Sequence, residues 1–156
     1  MAFDAFLKIE GIEGESADKS HPGEIEIFSF HWGVTNTGTS SGGGGGAGKA
    51  VLQDFHFGMA TSKASPSLML ACATGRHTQA ATLTVRRGTF EFLKIKLSDV
   101  LVSEYDLGGD NSEASTNRDT PLDALSLNFV KIDFLYTVQR TGEMVEATFD
   151  SRGGTL

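Results

Sequence analysis

Three observations predict a mainly β protein, closed or nearly closed into a barrel, with one short α-helix. Apolar and polar residues alternate with period two along most of the 156 residues, one segment alone carries helix start and stop signals, and 19 glycines stand against three prolines. Closure into a barrel is how a chain of many strands hides their edges. At this length the chain is expected to form one domain, 1–156, with a proper hydrophobic core.

Along the chain, Phe3, Ala5, Leu7 and Ile9 alternate with Asp4, Phe6, Lys8 and Glu10, a half-buried strand with an extra aromatic, Phe6, on its outer face. GIEGESADKSHPG reads as an exposed connection. In EIEIFSFHWGV, Glu24, Glu26, Phe28, Phe30, Trp32 and Val34 share one side, and Ile25, Ile27, Ser29, His31 and Gly33 the other. The apolar side changes at about Ile27 to Phe28, so this strand bends at a bulge, passes from one sheet to another, or is covered on both sides in an assembly.

A glycine loop spans about 38–49, and KAVLQDFHFGM resumes strand character with Val51, Gln53, Phe55 and Phe57 on one face and Leu52, Asp54 and His56 on the other. The helix is expected over about 66–74, with Ser65 as N-cap, Pro66 in the first position and Gly75 as the stop. TQAATLTVRR, FEFLKIKLSDVLVSEYDL and LDALSLNFVKIDFLYTVQR follow as strand-like stretches. The second is too long for one ordinary strand, so Ser98-Asp99 marks a bulge or corner. A polar, acidic loop covers about 108–121, and MVEATFDSRGG is a weak last strand.

Twenty acidic against thirteen basic side chains give a formal charge of −7, which repels nucleic acid and anionic lipid. No stretch approaches the roughly 18 apolar residues of a membrane span. The segment MAFDAFLKIEG has an acid at Asp4 and no basic region, so a secretory signal peptide is not expected, and the single Cys72 excludes an internal disulfide and fits a reducing compartment.

GTSSGGGGGAGKA, Gly38 to Ala50, matches three catalytic or cofactor patterns. The phosphate-loop pattern over Gly43 to Lys49 lacks the following hydroxyl, since Ala50 stands there, and a strand rather than a helix follows. The dinucleotide pattern of Gly43, Gly45 and Gly48 fails for want of a helix, and the G-x-S-x-G match at Gly38 to Gly42 lacks its strand-to-helix elbow. A side-chain-poor connection between strands remains. The histidines, His21, His31, His56 and His77, show no metal-ligand spacing, Cys72 on an apolar helix reads as a buried structural thiol, and the acids of GGDNSEASTNRD lack calcium-loop spacing. No catalytic, metal or cofactor residue is assigned, and no enzymatic activity is expected.

Five ordered blocks, DAFLKIEGIEGESADKSHPGEIEIFSFHWGV, GGGGGAGKA, SPSLMLACATGRH, IKLSDVLVSEY and SLNFVKIDFLY, resemble the haemolysin-coregulated proteins (Hcp), the tube subunits of bacterial type VI secretion systems. The likeness covers about residues 2–140. It implies a two-sheet β-barrel with a short helix, a homohexameric ring, and rings stacked into the ejected inner tube, with spike, sheath and baseplate components and small sheltered effectors as partners. It also implies residence in the bacterial cytoplasm before firing and export without a signal peptide. If Phe28, Phe30 and Trp32 pack in the barrel core, Ser29 and His31 fall on the opposite face and are candidates for lumen and effector contact. Gly42, Gly43, Gly44, Gly45 and Gly46 are the candidate ring-stacking loop, and Phe6 is a candidate for the subunit interface. The rival reading is a stand-alone β-barrel that binds a small ligand.

Overall fold

The computed structural model describes residues 2–38, 48–109 and 120–153. The elements are β1 (Asp4–Ile9), β2 (Ile25–His31), β3 (Val34–Asn36), β4 (Ala50–Leu52), β5 (Phe55–Ala60), α1 (Ala64–Thr74), β6 (His77–Arg87), β7 (Phe90–Gly108), β8 (Leu122–Asn128), β9 (Lys131–Thr137) and β10 (Met144–Asp150). One eight-stranded sheet runs β10-β9-β7-β6-β1-β2-β5-β8, and a further β7–β8 pairing closes β7, β6, β1, β2, β5 and β8 into a barrel from which β9 and β10 extend. The short β3–β4 pair stands apart as an arm. The mainly β barrel expected from the alternation is therefore what the chain forms.

Long β7 serves both walls. Leu93 to Ser98 pair with β9, and Leu101 to Gly108 pair with β8. Between these ladders Asp99 has φ 58°, the one non-glycine residue with positive φ among those described. Aspartate tolerates this region better than β-branched neighbours would. The corner expected at Ser98-Asp99 is thus present, and the Asp99 carboxylate braces it by accepting from His77 Nδ1 at 3.0 Å.

Inward-facing residues of every barrel strand form one core, including Leu7, Ile27, Phe55, Met59, Leu83, Ile95 and Leu127. Each such side chain contributes about 1.5–3 kcal/mol by leaving water. Helix α1 adds Ala64, Leu68 and Ala71 to the same cluster. Gly75 ends it in the left-handed region at φ 66°, with its N–H on Cys72 O and the Arg76 N–H on Ala71 O.

Several expectations need correction. The helix begins two residues early, at Ala64 with Lys63 as its N-cap; Ser65 instead lies inside the first turn, where its hydroxyl donates to buried Asp123. Met69 and Leu70 point to solvent, and Cys72 is half-buried rather than buried. The stretch LDALSLNFVKIDFLYTVQR is two strands that turn at Phe129-Val130. Phe28 is half exposed, and Trp32 lies half-buried at the margin of the core against Phe129 and Phe134. Of that aromatic trio Phe30 comes nearest to the expected place, stacked on Phe55 with centroids 6.1 Å apart. Phe6, an interface candidate by sequence, is only 1% exposed because the connection after β1 folds back over it.

Candidate functional site

Two bulges shape the outer face of the barrel at β2, β5, β8 and the second half of β7. Ile27 pairs with Met59 but Ser29 pairs with Gly58, so Phe28 is an extra residue in β2. Val102 pairs with Leu127 but Glu104 pairs with Ser126, so Ser103 is an extra residue in β7. A slip of one residue sends every later side chain to the other face. Ser29 and His31 would otherwise share the inward face of Ile27, and Glu104 that of Val102. The bulges turn these polar groups outward, so the core does not have to bury them unpaired.

The outcome is one polar row across four strands: Glu104 opposite Ser126, Ser126 opposite His56, and His56 opposite His31. Ser126 Oγ donates to Glu104 Oε1 at 3.0 Å, and His56 Nδ1 lies 2.7 Å from the same Oγ. A carboxylate only accepts, so the hydroxyl proton points to Glu104 and His56 Nδ1 carries its own proton toward Ser126. The rings of His31 and His56 are stacked with centroids 6.1 Å apart and 28° between planes. With Ser29 and Gly58 they border a shallow depression of about 270 Å³. Gly58 keeps it open, because a Cβ there would come within 2.9 Å of Ser29 Oγ.

Serine, histidine and glutamate in one row invite comparison with a hydrolytic triad. In a triad the acid orients the histidine and the serine is presented to substrate. Here Glu104 takes the serine proton itself, and Ser126 is 2% exposed. The row is built to orient His56, not to activate Ser126. Among the described residues, no group of three or more His, Cys, Asp or Glu side chains is placed to hold a metal.

A second polar cluster fastens the connection between β1 and β2. His21 lies between Glu24, 3.1 Å from Nδ1, and Glu91, 2.7 Å from Nε2. Burial disfavours its protonated form, but the two carboxylates outweigh this and raise its pKa above the ordinary 6.5. Arg86 holds Asp18 with two hydrogen bonds, at 2.6 and 3.0 Å, and its guanidinium lies 4.9 Å from the Phe6 ring centroid. The Arg86 hydrogen bonds draw the Asp18 carboxyl down to about 2, against a smaller opposing effect of desolvation. Every charged group here is occupied by another, which makes the cluster a clasp rather than an open site.

The glycine segment joins the arm. Lys49 donates its N–H to Thr37 Oγ1 at 2.9 Å, and the chain continues directly into strand β4. A phosphate loop needs a helix at that point, so both nucleotide patterns fail on geometry as well as on sequence. Gly42 to Gly46 lie outside the described residues, as does most of the polar loop at about 108–121.

Sequence reasoning found Ser29 and His31 on the outer face and missed their company. His56, Ser126 and Glu104 are 25 or more residues away in the chain. Only the strand order puts them in the same row.

Comparison with known proteins agrees with this architecture. Residues 6–136 match the model of the family described as "Type VI secretion system effector, Hcp". The chain is 39% identical over 145 residues to the protein hcp1 of Pseudomonas aeruginosa, covering 90% of this chain and 86% of that one. It superposes on the crystal structure of Hcp1 from Salmonella typhimurium with a TM-score of 0.83 at 32% identity, covering 97% of each chain. A type VI secretion system effector from Yersinia pestis gives a TM-score of 0.79 at 31% identity, over 94% of this chain and 99% of that one. With sequence and fold matched over nearly their whole length, the chain belongs to the Hcp family of type VI secretion system proteins.

Proposed function

We infer that this chain is a tube subunit of a type VI secretion system: it closes into hexameric rings, the rings stack into the ejected inner tube, and the tube shelters or carries small effectors. The family match over residues 6–136 carries the reading. Its action is steric and mechanical, with no chemical step.

Physical features of the single chain support assembly. β10 ends the eight-stranded sheet, so one of its edges pairs with no strand among the described residues. Exposed edges and apolar patches on a soluble chain are places where another chain binds. Met144 and Val145 on β10 are 68% and 56% exposed, and Phe134 and Tyr136 on β9 are also open to solvent. Head-to-tail burial of such an edge closes a ring when the rotation per subunit divides a full turn.

The row facing outward from β2 and β5, with Ser29 and His31, is the candidate channel wall and effector contact. Gly42 to Gly46, in the sequence between β3 and β4, are the candidate stacking contact, the absence of side chains permitting close approach. Spike, sheath and baseplate components are the further partners. Before firing the subunit resides in the bacterial cytoplasm; no helix among the described residues is long and apolar enough to cross a membrane. The rival, a stand-alone barrel for a small ligand, needs an internal cavity, and Leu7, Phe55, Met59, Leu83 and Leu127 fill the interior instead.

Size-exclusion chromatography with light scattering, followed by negative-stain imaging, tests the reading. Six-membered rings are expected; a chain that stays monomeric or dimeric at every concentration overturns it.

A further inference from the structure

We propose that His31 and His56 form a chelating site for a borderline divalent transition metal, with Zn²⁺ the best match, on the outer face of the barrel. Both histidines belong to one chain, so the proposal stands or falls separately from ring formation.

The two histidines occupy directly opposed positions on antiparallel β2 and β5, so their side chains leave the sheet on the same side as near neighbours. Two tetrahedral Zn–N bonds of about 2.0–2.1 Å bring imidazole centroids to about 5 Å. The observed 6.1 Å is therefore within a modest side-chain rotation of that separation. His31 can make the rotation: it is exposed, and no hydrogen bond fixes its ring among the described residues.

His56 is the prearranged partner. A histidine that binds a metal donates its other ring N–H to a carboxylate, carbonyl or water, which fixes the tautomer and makes the ligating nitrogen more basic. The relay Glu104–Ser126–His56 supplies that arrangement through one hydroxyl. It leaves the Nε2 lone pair as the free face of the ring. The Glu104 carboxylate places negative charge near the pair, in a chain of net charge −7, which favours a cation.

Imidazole nitrogen selects zinc, copper and nickel over magnesium and calcium, which prefer oxygen. No third protein ligand is at hand among the described residues. Water, or a carboxylate of a bound partner, completes the coordination, and the depression of about 270 Å³ beside Gly58 has room for either.

The other histidines are poorer sites. Both ring nitrogens of His21 are engaged by Glu24 and Glu91. His77 donates from Nδ1 to Asp99 at the β7 corner, but the residue opposite it across the ladder is Leu101, so it has no second imidazole beside it.

The test is calorimetric titration of the full-length, chelator-treated chain with Zn²⁺ up to about 1 mM, a limit that captures even weak binding, with Mg²⁺ as the hard-cation control. One Zn²⁺ per chain is expected, without Mg²⁺ binding, and His31→Ala or His56→Ala weakens it at least tenfold while His77→Ala leaves it unchanged. Ser126→Ala and Glu104→Ala keep both imidazoles but break the relay, and each is expected to weaken binding about 10–100-fold. Glu104 is exposed, so its variant remains informative should the buried Ser126 variant fold poorly. Absence of Zn²⁺ binding, or binding that survives His31→Ala and His56→Ala, or that is lost in His77→Ala, overturns the proposal; equal affinity in the relay variants overturns the prearranging role of Ser126 and Glu104.

Discussion

The imidazole of His21 lies flat on the ring of Phe6, with centroids 4.6 Å apart and planes 11° from parallel. Together with the Arg86 guanidinium, 4.9 Å from the same ring centroid, this contact explains why an aromatic on the outer face of β1 is buried. The connection from Gly11 to Glu24 crosses the barrel wall, lays His21 over Phe6, and anchors itself on Glu91 of β7 and Arg86 of β6. Gly14 permits the close crossing, since a Cβ there would lie 2.5 Å from the Glu24 carbonyl oxygen.

The clasp makes stability depend on pH in a definite direction. The folded pKa of His21 is raised above 6.5, so its contribution is fully present below 6.5 and is lost as pH rises through the folded value. At pH 6 His21→Gln is expected to cost about 2 kcal/mol, as for a hydrogen-bonded charged group. The difference from wild type shrinks at pH 8.5. Urea unfolding at both pH values measures it; a difference independent of pH would show that the Glu24 and Glu91 contacts do not depend on the imidazolium charge.

Acid acts on the same connection through Asp18. With its folded value at about 2 against an ordinary 3.8, Asp18 supports the fold above 3.8, and this support is lost as pH falls through about 2. Arg86→Lys keeps the charge but loses the two-pronged bond and the guanidinium over the Phe6 ring. Hydrogen exchange across residues 11–24 should then show faster opening at pH 3 in the variant, with strands β5 and β8 unchanged. Uniform loss of protection in all strands would mean that the clasp is coupled to the whole barrel.

Asp123 is 1% exposed and accepts from three hydroxyls: Thr61 Oγ1 at 2.7 Å, Ser65 Oγ at 2.5 Å and Tyr105 OH at 2.9 Å. These bonds tie β8 to the start of α1 and to β7. Asp123→Ala takes the acceptor from the buried Ser65 hydroxyl and the half-buried Tyr105 hydroxyl, while Thr61 keeps the Pro121 carbonyl, and is expected to lower stability by about 2–3 kcal/mol, and Tyr105→Phe by about 1 kcal/mol. Burial first, and then the Asp123 hydrogen bond, raise the Tyr105 pKa. Its contribution is therefore complete below pH 10 and lost above. Chemical denaturation of the two variants checks the ranking, which reverses only if the helix is held chiefly by its apolar face.

For the proposed tube, His31→Glu places a bulky acid at the outward row and should reduce effector retention while rings persist. Co-purification with several effectors reads this out. Unchanged retention of all of them removes His31 from the contact surface. Shortening Gly42 to Gly46 should likewise spare rings and abolish tube assembly and secretion; loss of the ring itself would place the loop in the subunit interface instead.

Much of the barrel was legible in the chain. Ala5, Leu7 and Ile9, or Phe55 and Phe57, alternate with polar residues, and alternation is the direct imprint of a sheet with one wet face. The bulge at Phe28 was visible as a change of phase, because the apolar side moves from Ile25 and Ile27 to Phe30 within one strand. The turn at Phe129-Val130 was not visible, since no glycine or proline interrupts that apolar run. Phe6 was misplaced because its burial depends on the connection laid over it, and Phe28 because it is the extra residue of the bulge and so joins neither regular face.

By itself, then, the sequence determined which side chains alternate, where the long strand turns its corner, where α1 stops, and that the glycine segment leads into a strand rather than a helix. Each of these depends on neighbours in the chain, through steric limits on φ and ψ and the two-residue repeat of a strand. Tertiary structure alone decided that His31 faces His56, that Ser126 and Glu104 stand behind it, and that His21 covers Phe6. Those contacts depend on strand order and on a register shifted by single bulged residues, and register is set by the core that all the strands share.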